Sequence, residues 1–110
     1  MPKHEFGIMP DAPHPGVRID EYAPWNYENM ISINDDYIEP IVYDLTGIRM
    51  YAHTLDNPYP GLAYCGITII PPKAMEPFLY VIADGDHFEP LRKLLKSAKE
   101  RDKYVIHFGL

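Results

Sequence analysis

Gly-Leu-Ala-Tyr-Cys-Gly-Ile-Thr-Ile-Ile, residues 61–70, is the longest apolar run in the chain. It carries no charge, is rich in β-branched and aromatic residues, and is bounded by Pro60 and by Pro71-Pro72. Those features predict a strand near the middle of a sheet, covered on at least one face. Upstream, residues 48–54 (Ile-Arg-Met-Tyr-Ala-His-Thr) alternate and predict a strand, joined to the central one through a turn at Asp56-Asn57-Pro58. Downstream, Pro71-Pro72 opens a helix with Met75, Phe78, Leu79 and Ile82 as its apolar stripe and Asp84-Gly85 as its end. A second helix follows at once, with Phe88, Leu91, Leu95 and Ala98 facing inward, and residues 104–110 read as a last strand.

The first half of the chain repeats this grammar. Residues 30–33 (Met-Ile-Ser-Ile) predict a strand running into Asn34-Asp35-Asp36, a cluster of helix-capping residues. Ile38, Ile41, Val42 and Leu45 then fall at helical spacing, with Gly47 as the stop. Asp36 with Glu39, and Asp86 with Glu89, have the spacing of a capping box. Residues 5–9 form a short candidate strand. Residues 10–26 lack any period and hold Pro10, Pro13, Pro15 and Pro24. Tyr22, Trp25 and Tyr27 would leave much apolar area in water if this stretch were disordered. It therefore reads as a proline-rich arm, pinned by its aromatics, and the expected organisation is 1–26 as short strand plus arm packed on a single domain of residues 27–110.

From residue 27 the order is β-α-β-β-α-α-β. That is an α+β chain with the ferredoxin-like split β-α-β order: an antiparallel sheet with helices on one face. In the usual strand order 61–70 and 30–33 are central, and 48–54 and 104–110 lie outside them. Alternation then points Ile31, Ile33, Ile48, Met50, Ala52, Cys65, Ile67, Ile69, Ile106 and Phe108 at the helices. Ser32, Arg49, Tyr51, His53, Tyr64, Thr68, Val105 and His107 take the open face. A slip of one residue exchanges Tyr64 and Cys65. His107-Phe108-Gly109-Leu110 echoes Glu5-Phe6-Gly7-Ile8, as two similar edge strands would.

The 110 residues carry a net charge of -6. An acidic surface repels phosphate, so no nucleic-acid partner is expected. The basic run Arg92, Lys93, Lys96, Lys99, Arg101, Lys103 reads as the solvated face and C-terminal end of a helix. No window approaches the ~20 apolar residues of a membrane helix. Without a leader-like apolar run, and with Cys65 as the only cysteine, a cytoplasmic protein without disulfides is expected. His4, His14, His53, His87 and His107 are scattered, so neither a metal site nor a cofactor is expected.

Chemistry concentrates on the expected open face. Arg49, Tyr51, His53, Tyr64 and His107 could bind a small molecule there. His53 could act as acid or base, with Tyr51 or Tyr64 polarising a substrate oxygen. His53 and His107 would lie three strand spacings apart, roughly 14 Å at ~4.8 Å each, too far to share a metal. Cys65 reads as a small buried hydrophobe, with His53 the one base within reach if the register slips. The expected function is a binding or assembly module using this face, for a ligand or as a homodimer. The alternative is a small enzyme with a His/Tyr site between face and arm.

Overall fold

The computed structural model describes residues 2–110. Its sheet has six strands: β1 (Lys3–Ile8), β2 (Glu28–Asn34), β3 (Arg49–Ala52), β4 (Pro58–Pro60), β5 (Ile67–Ile70) and β6 (Val105–Phe108). They are arranged β2-β1-β6-β5-β3-β4, with every neighbouring pair antiparallel. The α+β class and the antiparallel sheet are as expected. The strand order differs. Residues 30–33 lie in an edge strand, and the last strand sits at the centre beside β5. Burial explains the exchange. β1 holds Phe6 and Ile8 fully inside, and Gly7 is packed so closely that an added Cβ would meet Met30 Sδ at 2.1 Å. A strand covered on both faces belongs inside a sheet. β2 carries Glu28, Asn29, Ser32 and Asn34 and tolerates the edge. So the echoing segments pair with each other, Glu5 opposite Phe108 and Phe6 opposite His107, rather than lying on two edges.

The central run is only partly a strand. Residues 67–70 enter the ladder, while 61–66 form a loop folded under the sheet end. Gly61 takes φ 77°, and its Cβ position lies 2.9 Å from the Leu45 carbonyl oxygen, so a side chain there is excluded both by conformation and by space. Gly66 N–H closes a turn onto the Ala63 carbonyl at 3.0 Å.

The helices are α1 (Asp35–Ile38), α2 (Met75–Val81) and α3 (Glu89–Glu100). The helix expected after Asn34 stops after one turn and continues as 3₁₀ turns at Glu39–Ile41 and Tyr43–Leu45. Pro40 is the cause: it lies past the first turn, lacks an N–H, and its ring meets the carbonyl four residues back. The capping boxes do not form. Asn34 Oδ1 accepts from Asp36 N–H at 2.8 Å, and Glu89 pairs with Arg92 at 2.9 Å. Arg92 also donates to the carbonyls of Ile82 (3.0 Å) and Gly85 (2.8 Å), closing the end of α2. The basic run is largely spent in such contacts, including Lys99 with Glu76 and Arg101 with Glu28.

One core lies between helices and sheet, with Phe6, Ile8, Met50, Ile70 and Val105 against Met75, Phe78, Leu91 and Leu95. A second lies on the other face: Met9, Ile67, Ile69, Ile106 and Phe108, packed by Ile19, Tyr27, Met30, Tyr51 and Leu55. The inward and outward sets are therefore as expected on β2 and β3 and exchanged on β5 and β6. Ile67, Ile69, Ile106 and Phe108 face away from the helices, and Thr68, Val105 and His107 face them. Both strands are apolar at either parity, so periodicity carried no direction there. The segment between β1 and β2 meets the second face through Tyr22, whose ring meets Phe108 edge-on at 5.0 Å, and through Ala23, which is buried. Ile19 N–H bonds the His53 carbonyl at 2.7 Å, and Tyr22 OH donates to Glu5. Trp25, expected as an anchor, is 74% exposed.

Candidate functional site

The residues expected on one face are distributed over three places. The first is buried on the helix side. His107 on β6 stands opposite Thr68 on β5 and Phe6 on β1, and His4 lies one step along β1 on the same side. His4, Thr68 and His107 have no exposed surface. Thr68 Oγ1 lies 3.1 Å from His107 Nδ1, His107 Nε2 lies 2.8 Å from His4 Nδ1, and His4 Nε2 lies 2.8 Å from Asp35 Oδ1. Tyr64 OH donates to the same Asp35 oxygen at 2.5 Å, and Ala63 N–H donates to Thr68 Oγ1 at 2.8 Å. Asp35 keeps 16% of its side chain exposed, so the chain reaches solvent at that end alone.

One assignment of protons satisfies the whole row with both imidazoles neutral. Thr68 O–H donates to His107 Nδ1, His107 Nε2–H donates to His4 Nδ1, and His4 Nε2–H donates to the Asp35 carboxylate. Among the described residues no buried side-chain nitrogen or oxygen is left without a partner. Burial, with His4 beside it, pushes the His107 pKa down to about 3. The hydrogen bonds from Tyr64 and His4 hold Asp35 below the usual carboxylate range, and Asp35 in turn pushes Tyr64 up to about 12. This row joins Tyr64 and His107, expected as ligand residues, through His4 and Asp35, which sequence reasoning missed. The available signal was that His4 shares the parity of Phe6 and Ile8.

The second place is a cleft of about 300 Å³ between the arm and the sheet, lined by Asp20, Tyr22, His53, Cys65, Gly66 and Phe108 among others. His53 is in the left-handed region at φ 64°, an uncommon conformation that a well-packed surround must maintain. Its Nδ1 lies 2.9 Å from the Ile19 carbonyl and 3.0 Å from Asp20 Oδ1, while Ile67 N–H approaches Nε2 at 3.4 Å. Those contacts place the proton on Nδ1 and leave Nε2 as the acceptor. The tyrosine of this cleft is Tyr22, from the arm. Tyr51 and Tyr64 do not line it. Cys65, expected in mid-strand, is exposed on the loop. Alkylation with iodoacetamide is therefore expected to modify Cys65 in the native protein at a rate within about tenfold of that in the urea-unfolded chain. Protection by orders of magnitude, read by intact mass, would return the thiol to the interior.

The third place is a cavity of about 490 Å³ lined by Arg49, Tyr51, Lys73, Asp102, Tyr104 and the Pro71-Pro72 pair, among others. Among the described residues no three His, Cys, Asp or Glu side chains are grouped to hold a metal ion. No helix among them is long and apolar enough to cross a membrane. No protein-family model matches this chain, and no curated protein or solved structure does so either.

Proposed function

We propose that this protein is a small-ligand-binding domain whose site is the cleft between the arm and the sheet, with His53 as its acid–base group. The observation that carries this reading is the way His53 is held. A left-handed backbone and two Nδ1 acceptors orient the ring and fix its tautomer, and the imidazole lines a concave space. That is what positioned acid–base chemistry requires: a fixed tautomer and room for a partner. The arm, residues 10–26, forms the outer wall through Asp20 and Tyr22. The cover it gives Ile67, Ile69, Ile106 and Phe108 favours a ligand over face-to-face self-association, since those side chains are already buried within one chain. Turnover of the ligand, with His53 taking or giving a proton, is the enzymatic form of the same proposal.

The test is a thermal-shift screen of small acids, amides, sugars and phosphate esters, followed by amide chemical-shift mapping of each compound that stabilises the protein. A true ligand is expected to move the amides of Asp20, Gly66, Phe108 and Gly109. It should bind at least about tenfold more weakly to His53→Asn, since asparagine tolerates the left-handed backbone while losing the imidazole. If every binder maps elsewhere, or binds His53→Asn equally well while that variant keeps the native circular dichroism, the cleft is not the site. Where a compound is also converted, the same substitution should lower turnover by about 10²–10⁴-fold.

A further inference from the structure

The largest of the three places is independent of His53, and its chemistry is different. Arg49 and Tyr51 project from the same side of β3, Lys73 comes from the turn that follows β5, and Asp102 and Tyr104 come from the link between α3 and β6. The two tyrosine rings also pack on the second core, so they are walls rather than free side chains. Pro71 and Pro72 add rigid apolar surface. Neither Arg49 nor Lys73 forms an ion pair among the described residues, although Arg18, Arg92, Lys93, Lys99 and Arg101 all do. In a chain of net charge -6, two cations outside any ion pair against the single carboxylate of Asp102 leave a local excess of positive charge on this cavity.

We infer that this cavity binds a small planar ring carrying a carboxylate or a phosphate. At about 490 Å³ the cavity is in the range that encloses a small organic ligand. Arg49 offers the planar fork that matches either anion, and Lys73 adds a point charge. Tyr51, Tyr104 and the two prolines flank the ring, where aromatic contact adds to buried area. Asp102, held by a left-handed backbone at φ 54°, accepts from a hydroxyl or amino group on the ring and disfavours a second anionic substituent. A compact inorganic anion would meet the cations and leave the apolar walls unused.

Phenyl phosphate, benzoate and inorganic phosphate are the probes, titrated into the ¹⁵N-labelled full chain with amide shifts as the readout. Phenyl phosphate or benzoate is expected to move the amides of Arg49, Tyr51, Lys73 and Tyr104, with those of Asp20 and Gly66 unmoved. The tighter of the two identifies the anion as phosphate or carboxylate. Inorganic phosphate should bind about tenfold more weakly than phenyl phosphate if the latter is the tighter, and the Arg49→Gln/Lys73→Gln variant should lose about tenfold or more for the preferred probe. Both substituted side chains are exposed, so the variant should keep the native thermal midpoint. The proposal is overturned if neither ring probe moves these amides at tens of millimolar. It is overturned equally if the double variant binds the preferred probe as well as the parent does, or, where phenyl phosphate is the tighter ring probe, if inorganic phosphate binds as tightly.

Discussion

Lowering the pH from 7 to 4.5 is expected to remove about 3 kcal/mol of folding stability through His107 alone. Its folded pKa of about 3 lies below the ordinary value of 6.5 because the imidazole is wholly buried and neutral. Between those two values the unfolded chain binds a proton that the folded chain refuses. Stability is therefore complete above pH 6.5 and falls as the pH drops, by about 1.4 kcal/mol per unit, until the folded pKa is reached. Asp35, whose folded pKa is also depressed, acts in the same direction at lower pH. For a domain with ~5–15 kcal/mol in total, a loss of this size is a large fraction of the stability. Urea unfolding from pH 7 to 4.5 should show the slope in the parent and a slope smaller by about one proton in His107→Leu. Parallel slopes in the two proteins would mean that His107 takes up its proton without unfolding.

The two buried histidines should also prove strongly coupled. His4→Leu leaves His107 Nε2–H without an acceptor, and His107→Leu leaves His4 Nδ1 without a donor and the Thr68 O–H without an acceptor, although Thr68 Oγ1 still accepts from Ala63 N–H. Each single substitution is expected to cost about 2–4 kcal/mol, mostly the desolvation of the polar group left behind. The double variant removes both ends of the central hydrogen bond and puts apolar groups side by side. It should be more stable than the sum of the single losses predicts by about 1–3 kcal/mol. Additive losses in urea melts at pH 7 would show that the two imidazoles are only neighbours. Asp35 is a useful control: it is partly exposed and keeps Tyr64, so its loss of His4 is filled by water.

This row was the part of the site least legible beforehand. Thr68 and His107 were the polar residues in two otherwise apolar strands, and polarity alone sends such residues to the open face. What keeps them inside is each other: the register sets Thr68 opposite His107, and His4 and Asp35 complete the row. A buried polar group is stable when its partners are present, and those partners come from three strands and a helix start far apart in sequence. By contrast Arg49 and Tyr51 stand on the face alternation assigned them, because Met50 between them is unambiguously apolar and fully buried. His53 likewise ended against the arm, although its left-handed backbone and its bond to Asp20 left no trace in spacing.

The amino-acid sequence alone specified the class and the approximate positions of five of the six strands and of α2 and α3. Those depend on periodicity and on backbone restrictions that act within a few residues. β4, Pro58–Pro60, falls instead in the stretch read as a turn, and only 67–70 of the central run joins the ladder. The tertiary structure decided the rest. Pairing β1 with β6 moved the last strand to the centre, and the orientation of β5 and β6 turned two histidine-bearing or threonine-bearing strands toward the helices. The physical reason is the same in each case. Strand neighbours and faces are settled by which apolar surfaces and polar partners meet across long stretches of chain, and no local pattern records that choice.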